Sequence, residues 1–310
     1  MPFVNTPYHI KEPILAFLWL MRERGYTQAN AQKILDKHRL TQDNRPISKA
    51  EKICGNVMLS EFVPSSIPHL PNIEPLFYND DFAIYDKPHN LLTHPKGRFF
   101  HYSLNDILKS RFGIQANALH RLDKQTSGLV LCSINPKSKK ALESLMQSRS
   151  ITKSYCAIVE GRVKAEILIN EPIMTQKHKG DLAIKSIVSE KGKESRTLIR
   201  PLAYYKDSTL IHALALTGRT HQIRLHCSYI GHRILGDPLY GVSEDKSRFY
   251  LEAPNLSPKE HKTLFDAPFL CLNAYALHFS FQGSNYHFKS NAPFSFMPHF
   301  RGFFQSHTFL

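Results

Sequence analysis

Prolines between residues 64 and 71 constrain the fold of this chain more than any other local feature. This segment reads PSSIPHLP and contains three prolines in eight residues. Proline has a fixed φ and no amide hydrogen, so neither a helix nor a central strand can continue through it. The sequence therefore predicts a module at residues 1–63, a linker at 64–75, a large domain at 76–295 and a tail at 296–310.

The hydrophobic pattern before the linker predicts a small mixed module. Apolar residues recur at helical spacing over residues 14–21 and again over residues 31–35. Short strand-like pieces follow around residue 40 and at residues 57–59. We therefore expect a small α/β unit.

The pattern after the linker predicts an α+β domain with a mostly antiparallel sheet. Strands are expected at residues 82–87, 155–159, 197–199, 210–216, 274–281 and 286–289. Helices are expected at residues 103–112, from Pro136 onward, and at residues 220–231. Asn135 is a typical cap for the second of these helices, and Gly231 is a typical stop for the third.

The net charge of the chain is +14, which points to a polyanionic partner such as nucleic acid. Residues 1–75 carry nine Lys/Arg and seven Asp/Glu, so most of the excess charge belongs to residues 76–310. A soluble protein that is merely rich in lysine is the alternative explanation. The distribution indicates that the basic surface lies mainly on the large domain.

The cysteines and the apolar runs indicate a soluble, cytoplasmic protein. The five cysteines are scattered and form no CxxC pair, so neither a disulfide framework nor a zinc ribbon is supported. The longest apolar stretch, residues 14–21, is far shorter than a membrane span. We expect a monomer.

Asp123 is the first candidate for chemistry, within the sequence HRLDKQTSG at residues 120–128. The carboxylate stands between Arg121 and Lys124, just before an apolar run. Such a residue is, on its own, more often part of a surface ion pair than a catalyst. A catalytic role needs a reactive carbon nearby and a cation that keeps the acid ionised.

Arg224 is the candidate cation, within the sequence TGRTHQIRLH at residues 217–226. A strand ends near residue 218 and a helix begins near Thr220, an arrangement that suits contacts with phosphate. Arg224 lies off the apolar face formed by Ile223, Cys227 and Ile230, so it can project toward a site. A solvated arginine on an amphipathic helix fits this spacing equally well.

Tyr155 begins the strand in KSYCAIVEG, residues 153–161, and its ring could stack on a nucleobase. A tyrosine in a strand is more often part of the core. The basic segment 177–200 is most simply a solvated hairpin, with an RNA-contacting loop as the alternative.

A metal site is not expected from the nearby histidines and cysteine. His221 and His226 stand five residues apart on a helix and therefore face different directions. Cys227 and His232 are the other two potential metal ligands in this part of the sequence.

The chain resembles the RluA-type family of RNA pseudouridine synthases, because it contains five of the motifs that mark that family. Beside HRLDxxTSG, the chain contains KxYxAxVxG, TGRTHQIRxH, GDPLYG at residues 236–241 and DKPHNLLTHP at residues 86–95. The resemblance extends over roughly residues 76–295 and implies a pseudouridine synthase fold, whose mixed sheet is mostly antiparallel and flanked by helices.

The resemblance also implies roles for individual residues. Asp123 would be the nucleophile, Tyr155 would stack on the target uracil, and Arg224 would pair with Asp123. Leu225 would form part of an apolar wall, and Arg121 would fill the space that a flipped nucleotide leaves in the RNA. Further motif residues are assigned to substrate binding: His120, Thr126, Arg219 and His221.

The implied reaction needs no cofactor, because uridine isomerisation involves no redox change and no energy input. A carboxylate could attack either the sugar or the uracil ring, and the sequence leaves both routes open. A glycosidase-like hydrolase is disfavoured, since the motifs supply no second acid. A non-catalytic RNA-binding or ribosome assembly factor with the same fold is disfavoured by the presence of Asp123, Tyr155 and Arg224 together.

Residues 1–63 resemble, more weakly, the alpha-L RNA-binding module that precedes many of these catalytic domains. The usual glycines of its turn are missing from residues 37–44, so we expect a divergent module. Its presence favours large-subunit ribosomal RNA over transfer RNA as the substrate.

Overall fold

The computed structural model of the chain describes residues 3–62, 70–95, 102–175, 185–253, 256–291, 293–301 and 303. The chain divides into two compact units. The first, which we call the N-terminal unit, contains residues 1–72 and 95–114. The second contains residues 73–94 and 115–310, and we call it the catalytic unit after the role that the sequence resemblance implies. Most of the proline-rich segment lies outside the described residues.

The N-terminal unit contains a four-stranded antiparallel sheet with strand order β1-β4-β2-β3. Its strands are β1 (Phe3–Leu15), β2 (Leu40–Gln42), β3 (Arg45–Pro46) and β4 (Lys52–Phe62). Its helices are α1 (Ala16–Arg22), α2 (Gln28–Asp36) and α3 (Leu104–Phe112). The predicted helices are therefore confirmed, although α1 begins at residue 16 rather than 14.

Strand β1 is absent from the expectations, and its sequence explains the omission. Pro7 and Pro13 interrupt the pattern expected of a strand. Because β1 forms the edge of the sheet, prolines are tolerated there. The pairing with β4 also shifts in register between Ile10 and Ile14, which hides the alternation further.

The turn between β2 and β3 forms without glycine. Asp43 and Asn44 both adopt a left-handed backbone, with φ of 50° and 60°. Asn and Asp tolerate this conformation better than other residues with a side chain, and two-residue hairpin turns require it. The missing glycines therefore do not prevent this turn.

The catalytic unit is built on a ten-stranded mixed sheet. Its main order is β10-β13-β14-β9-β15-β8-β6-β5, with β16 beside β15 and β7 beside β8. Every pairing is antiparallel except that of β15 with β8. The strands are β5 (Phe77–Tyr78), β6 (Phe82–Lys87), β7 (Asn117–Ala118), β8 (Ser127–Ser133), β9 (Thr152–Glu160), β10 (Ile167–Asn170), β13 (Arg196–Tyr205), β14 (Ser208–Ala215), β15 (Leu272–Phe281) and β16 (Ser284–Lys289).

A separate antiparallel pair precedes β13 in the chain. It consists of β11 (Ile173–Thr175) and β12 (Ser186–Val188). This pair flanks the first part of the basic segment 177–200, whose residues 177–184 lie outside the described part, while its last residues form the start of β13 rather than the arm of a solvated hairpin.

Helices flank the mixed sheet. They are α4 (Pro136–Gln147), α5 (Gln222–Tyr229), α6 (Glu244–Glu252), α7 (Pro258–Phe265) and α8 (Pro298–Arg301). The Asn135 side chain caps α4 by accepting the Ser138 amide, as predicted. No described helix is long and apolar enough to cross a membrane.

The core of the catalytic unit fixes the strand that follows Asp123. Every residue of β8 is buried, and this strand lies between β15 and β6. Gly128 has a φ of 108°, and a β-carbon there would lie 2.5 Å from the Ala274 backbone. Only glycine therefore permits the close parallel pairing of β8 with β15. Phe300, in the segment predicted as a tail, is buried in the core.

Candidate active site

Three of the sequence motifs meet at one cavity of about 800 Å³ in the catalytic unit. The loop before β8 contributes residues 120–123 and 126, and the start of β9 contributes residues 152, 153 and 155. The end of β14 and the start of α5 contribute residues 214–224. Asp123, Tyr155 and Arg224, which are far apart in the sequence, therefore face the same space.

The loop that carries Asp123 is held by the segment after β6. The ammonium group of Lys87 donates to the Leu91 carbonyl at 2.9 Å and to the Lys124 carbonyl at 3.4 Å. The Thr93 hydroxyl donates to the Leu122 carbonyl at 2.9 Å and accepts from the amide of the same residue at 3.1 Å. These contacts fix the residues on both sides of the carboxylate.

Two further contacts complete this support. The His89 ring lies 2.9 Å from the Gln125 carbonyl and stacks on Phe269. Lys87 is fully buried, and burial lowers its pKa to about 7 against the opposing charges of Asp123 and Asp86. The backbone around Asp123 is therefore positioned before any substrate binds.

Asp123 lies beside two donors from the start of α5. Its Oδ2 atom lies 3.4 Å from Arg224 Nη1 and 3.7 Å from His221 Nε2. The Asp123 side chain is 21% exposed, whereas that of Arg224 is 1% exposed. The carboxylate is thus reachable from the cavity while its principal cation is enclosed.

Arg224 binds Asp237 more closely than it binds Asp123. Its Nε and Nη2 atoms donate to the two Asp237 oxygens at 2.7 and 2.8 Å. Burial alone would raise the pKa of Asp237, but the Arg224 charge and hydrogen bonds lower it overall. The sequence predicts an arginine paired with Asp123, and the structure adds this second, buried carboxylate as its anchor.

The ring of Tyr155 faces the cavity from β9. Because successive residues of a strand alternate between its faces, Lys153 and Tyr155 lie on the same side, and both line the cavity. Burial, and then the Asp123 charge, raise the pKa of Tyr155 to about 12. The phenol is therefore neutral at neutral pH and offers an aromatic face rather than an acid.

Four other predicted residues also line the cavity, but some have structural partners. The His120 Nε2 atom accepts the Leu131 amide at 3.1 Å, and burial lowers the pKa of His120 to about 3. Arg219 Nε donates to the Glu194 carbonyl at 2.9 Å. Thr126 is buried, and His221 lies beside Asp123.

Leu225 is not among the described residues that line this cavity, and its place in an apolar wall beside the substrate stays a prediction. Adjacent residues of an α-helix point about 100° apart, so Ile223 and Arg224 can line the cavity without Leu225. The apolar lining includes Ile223, Leu214 and Leu272.

The histidines near α5 each bind protein groups. His226 contacts the Thr197 hydroxyl at 2.8 Å and the Glu171 carbonyl at 3.0 Å, and His232 contacts the Glu160 carbonyl at 2.8 Å. Within the described ranges, no group of three His, Cys, Asp or Glu residues is arranged to hold a metal ion.

The sequence reasoning missed several residues that support the site. Asp237 and Tyr240 belong to the GDPLYG motif, but no role was predicted for them. Lys87, the last residue of β6, and Thr93, in the segment that follows it, were also given none. The sequence did contain a signal for these residues, since each is a polar residue within a motif segment that also contains apolar residues. A polar side chain that becomes buried needs hydrogen-bond partners, so a supporting role could have been expected.

The electrostatic character of the cavity is strongly positive. Among the described residues that line it, Asp123 is the one carboxylate. The cations of the lining are Arg121, Arg149, Lys153, Arg196, Arg219 and Arg224. Arg121, Arg149 and Lys153 form no ion pair with any described residue, so these cations are available to the phosphates of a polyanion.

Known proteins resemble this chain in sequence over most of its length. Residues 81–229 match the family described as RNA pseudouridylate synthase. An uncharacterized RNA pseudouridine synthase of Helicobacter pylori is 40% identical over 301 residues, which cover 96% of this chain and 97% of that protein.

Relatives with named substrates match a smaller part. The ribosomal large subunit pseudouridine synthase D of Nitrosomonas europaea is 36% identical over 56% of this chain and 51% of its own length. The mitochondrial tRNA pseudouridine(32) synthase of Saccharomyces cerevisiae is 32% identical over 56% of this chain and 38% of its own length.

A solved structure shares the fold. Human RNA pseudouridylate synthase domain containing 1 superposes with a TM-score of 0.56 at 22% identity, covering 72% of this chain and 84% of that chain. The fold and the full-length match define an enzyme that modifies RNA. The chain belongs to the RluA-type family of RNA pseudouridine synthases, which isomerise uridine in RNA to pseudouridine.

Proposed function

We propose that this enzyme acts on a flipped-out uridine of structured RNA, namely large-subunit ribosomal RNA, with Asp123 as the nucleophile. The observation that carries this proposal is that, among the described residues of the cavity, one carboxylate is set among six cations and beside Tyr155. RNA phosphates would occupy the cationic rim while one base reaches Asp123.

The target base must leave its helix before it can react. Extruding a nucleotide costs a few kcal/mol, which phosphate contacts and stacking of the base on an aromatic ring offset. Tyr155 supplies that ring. Arg121, which is exposed at the cavity, would fill the space left in the RNA.

The reaction needs only groups that the cavity contains. The bond between C1′ of the ribose and N1 of uracil breaks, the base turns, and C1′ bonds to C5; the C5 proton then leaves to solvent and N1 takes up a proton, so that the product is an isomer of the substrate. Asp123 would attack either C1′ or the uracil ring, and Arg224 would stabilise the carboxylate in both routes.

Asp123→Asn tests the role of the carboxylate. The amide cannot act as a nucleophile, so tritium release from RNA labelled at C5 of uridine should fall at least about a thousandfold. The dissociation constant for RNA should change little, because the cationic lining is intact. Glu143→Gln, on the exposed face of α4, is the matched control and should retain full activity.

The choice of ribosomal RNA rests on the arrangement of the chain. We propose that residues 1–63 form a divergent RNA-binding module, residues 64–75 a linker and residues 76–295 the catalytic domain, except that residues 95–114 group with the N-terminal unit. One named relative modifies the large ribosomal subunit and another modifies transfer RNA. Site-resolved pseudouridine mapping with and without the gene should show loss of a site in large-subunit RNA; loss confined to transfer RNA would reject this choice.

A further inference from the structure

The Tyr240 hydroxyl determines which nitrogen of His221 carries a proton. Its oxygen lies 2.8 Å from the Ser186 amide nitrogen and 2.8 Å from His221 Nδ1. The amide can only donate, so the Tyr240 oxygen accepts there and its own proton remains for His221. With the opposite tautomer, that proton would have to turn to the buried Ser186 hydroxyl, and the unprotonated Nε2 of His221 would face the Asp123 carboxylate, lone pair against anion.

His221 is therefore a neutral ring with its proton on Nε2. Burial, and then the Arg224 charge, lower the pKa of His221 to about 4. Burial also raises the pKa of Tyr240 to about 12, so the phenol retains its proton. The hydrogen bonds run in one direction, from Ser186 through Tyr240 to His221.

The protonated nitrogen of His221 faces Asp123. Nε2 lies 3.7 Å from Oδ2, and Arg224 Nη1 lies 3.4 Å from the same oxygen. The other oxygen, Oδ1, forms no hydrogen bond with a described residue. Arg224 therefore donates a hydrogen bond to Oδ2, and the protonated nitrogen of His221 approaches the same oxygen from just beyond hydrogen-bond distance.

The backbone of His221 is consistent with a role beyond helix capping. It is the N-terminal cap residue of α5, yet its side chain does not accept an amide of that helix. Its φ of 57° is unfavourable for a residue with a side chain and points to a functional constraint.

We propose that His221 is a positioning residue that, together with Arg224, holds Oδ2 of Asp123 and leaves Oδ1 as the attacking oxygen. This inference rests on the nucleophilic role of Asp123 proposed above. In the sugar route, Oδ1 bonds to C1′ while the electron pair of the C1′–N1 bond moves to uracil. In the ring route, Oδ1 bonds to C6 while the C5–C6 π electrons move toward O4.

Two substitutions of His221 separate the roles of its nitrogens. In His221→Asn the amide ends near the Nδ1 position, so the donor at Nε2 is lost. In His221→Gln an amide nitrogen can reach the Nε2 position. The RNA probe is C5-tritiated total RNA from cells that lack the gene.

We expect the single-turnover rate of His221→Asn to fall about 100-fold, the cost of a carboxylate misplaced by about 1 Å. His221→Gln should restore most of that loss, and the RNA dissociation constant should stay unchanged in both. Tyr240→Phe alone should lower the rate, because it releases the tautomer that places a proton on Nε2. It should add little to His221→Asn, because the imidazole ring on which it acts is already absent. His232→Asn, a histidine away from the cavity, is the control.

Nitrogen NMR of histidine-labelled protein reads the tautomer without reference to activity. The signals lost in His221→Gln should be those of a neutral ring protonated at Nε2, and Tyr240→Phe should shift them toward a mixture. A ring protonated at Nδ1, or an unchanged rate in His221→Asn while Asp123→Asn is inactive, would overturn the inference. If Asp123→Asn were itself active, the proposed nucleophile would fail instead.

Discussion

Asp237 is buried away from the cavity, but it holds Arg224, which lines the cavity beside Asp123. Asp237→Asn preserves the side-chain shape and an acceptor for the Leu239 and Tyr240 amides, but it removes the close anion from the buried Arg224. The free energy of unfolding should therefore fall by about 3 kcal/mol, and the isomerisation rate should fall with it. Urea denaturation and single-turnover assays measure the two effects.

A matched carboxylate on the surface provides the control for that substitution. Asp266 pairs with Arg233, but its side chain is 60% exposed. Asp266→Asn should cost less than about 1 kcal/mol, since water replaces the lost partner. Equal losses in the two variants would mean that burial of the Arg224 pair is not what stabilises it.

At the scale of elements, the parallel contact of β8 with β15 fixes the loop that carries Asp123. Gly128→Ala should lower the free energy of unfolding by more than about 3 kcal/mol, because its β-carbon would lie 2.5 Å from the Ala274 backbone. Gly283→Ala also has a positive φ, 78°, but no atom lies within 4 Å of its β-carbon. It should cost only about 1 kcal/mol of backbone strain. Similar losses, measured by urea denaturation, would contradict a role for the close approach.

Local sequence signals predicted the elements whose pattern is undisturbed. Strand β6 and the Asn135 cap of α4 were read correctly, because periodicity and capping are local. Strand β1 was missed because Pro7 is tolerated only at the sheet edge, a fact about neighbours. Helix α7 was also missed, although Ser257 and Glu260 form a capping box that the sequence displays.

The sequence predicted those residues of the site whose motifs have a known chemical role. Asp123, Tyr155 and Arg224 come together as expected. The bidentate contact of Arg224 with Asp237 depends on how α5 packs against the following segment, which no spacing in the sequence encodes. Which residues of α5 line the cavity is hard to predict for a related reason, since their direction depends on where α5 begins.

At the scale of the molecule, buried neutral histidines should make the catalytic unit sensitive to acid. Burial lowers the pKa of His89 to about 4, of His120 to about 3 and of His221 to about 4. The unfolded chain has histidine pKa values near 6.5, so it binds more protons than the folded protein below that pH. Stability is therefore present above about pH 6.5 and is lost as the pH falls toward 4.

Each histidine should contribute a slope of about 1.4 kcal/mol per pH unit inside this window. His89→Asn retains a donor for the Gln125 carbonyl but cannot be protonated, so it should reduce the slope by that amount. Because the one tryptophan, Trp19, belongs to the N-terminal unit, hydrogen exchange of peptides from residues 117–133 is the suitable measurement. An identical slope in the wild type and in His89→Asn would show that burial of the His89 ring does not determine the acid response. The response would then come from carboxylates such as Asp237, whose pKa is lowered in the folded protein.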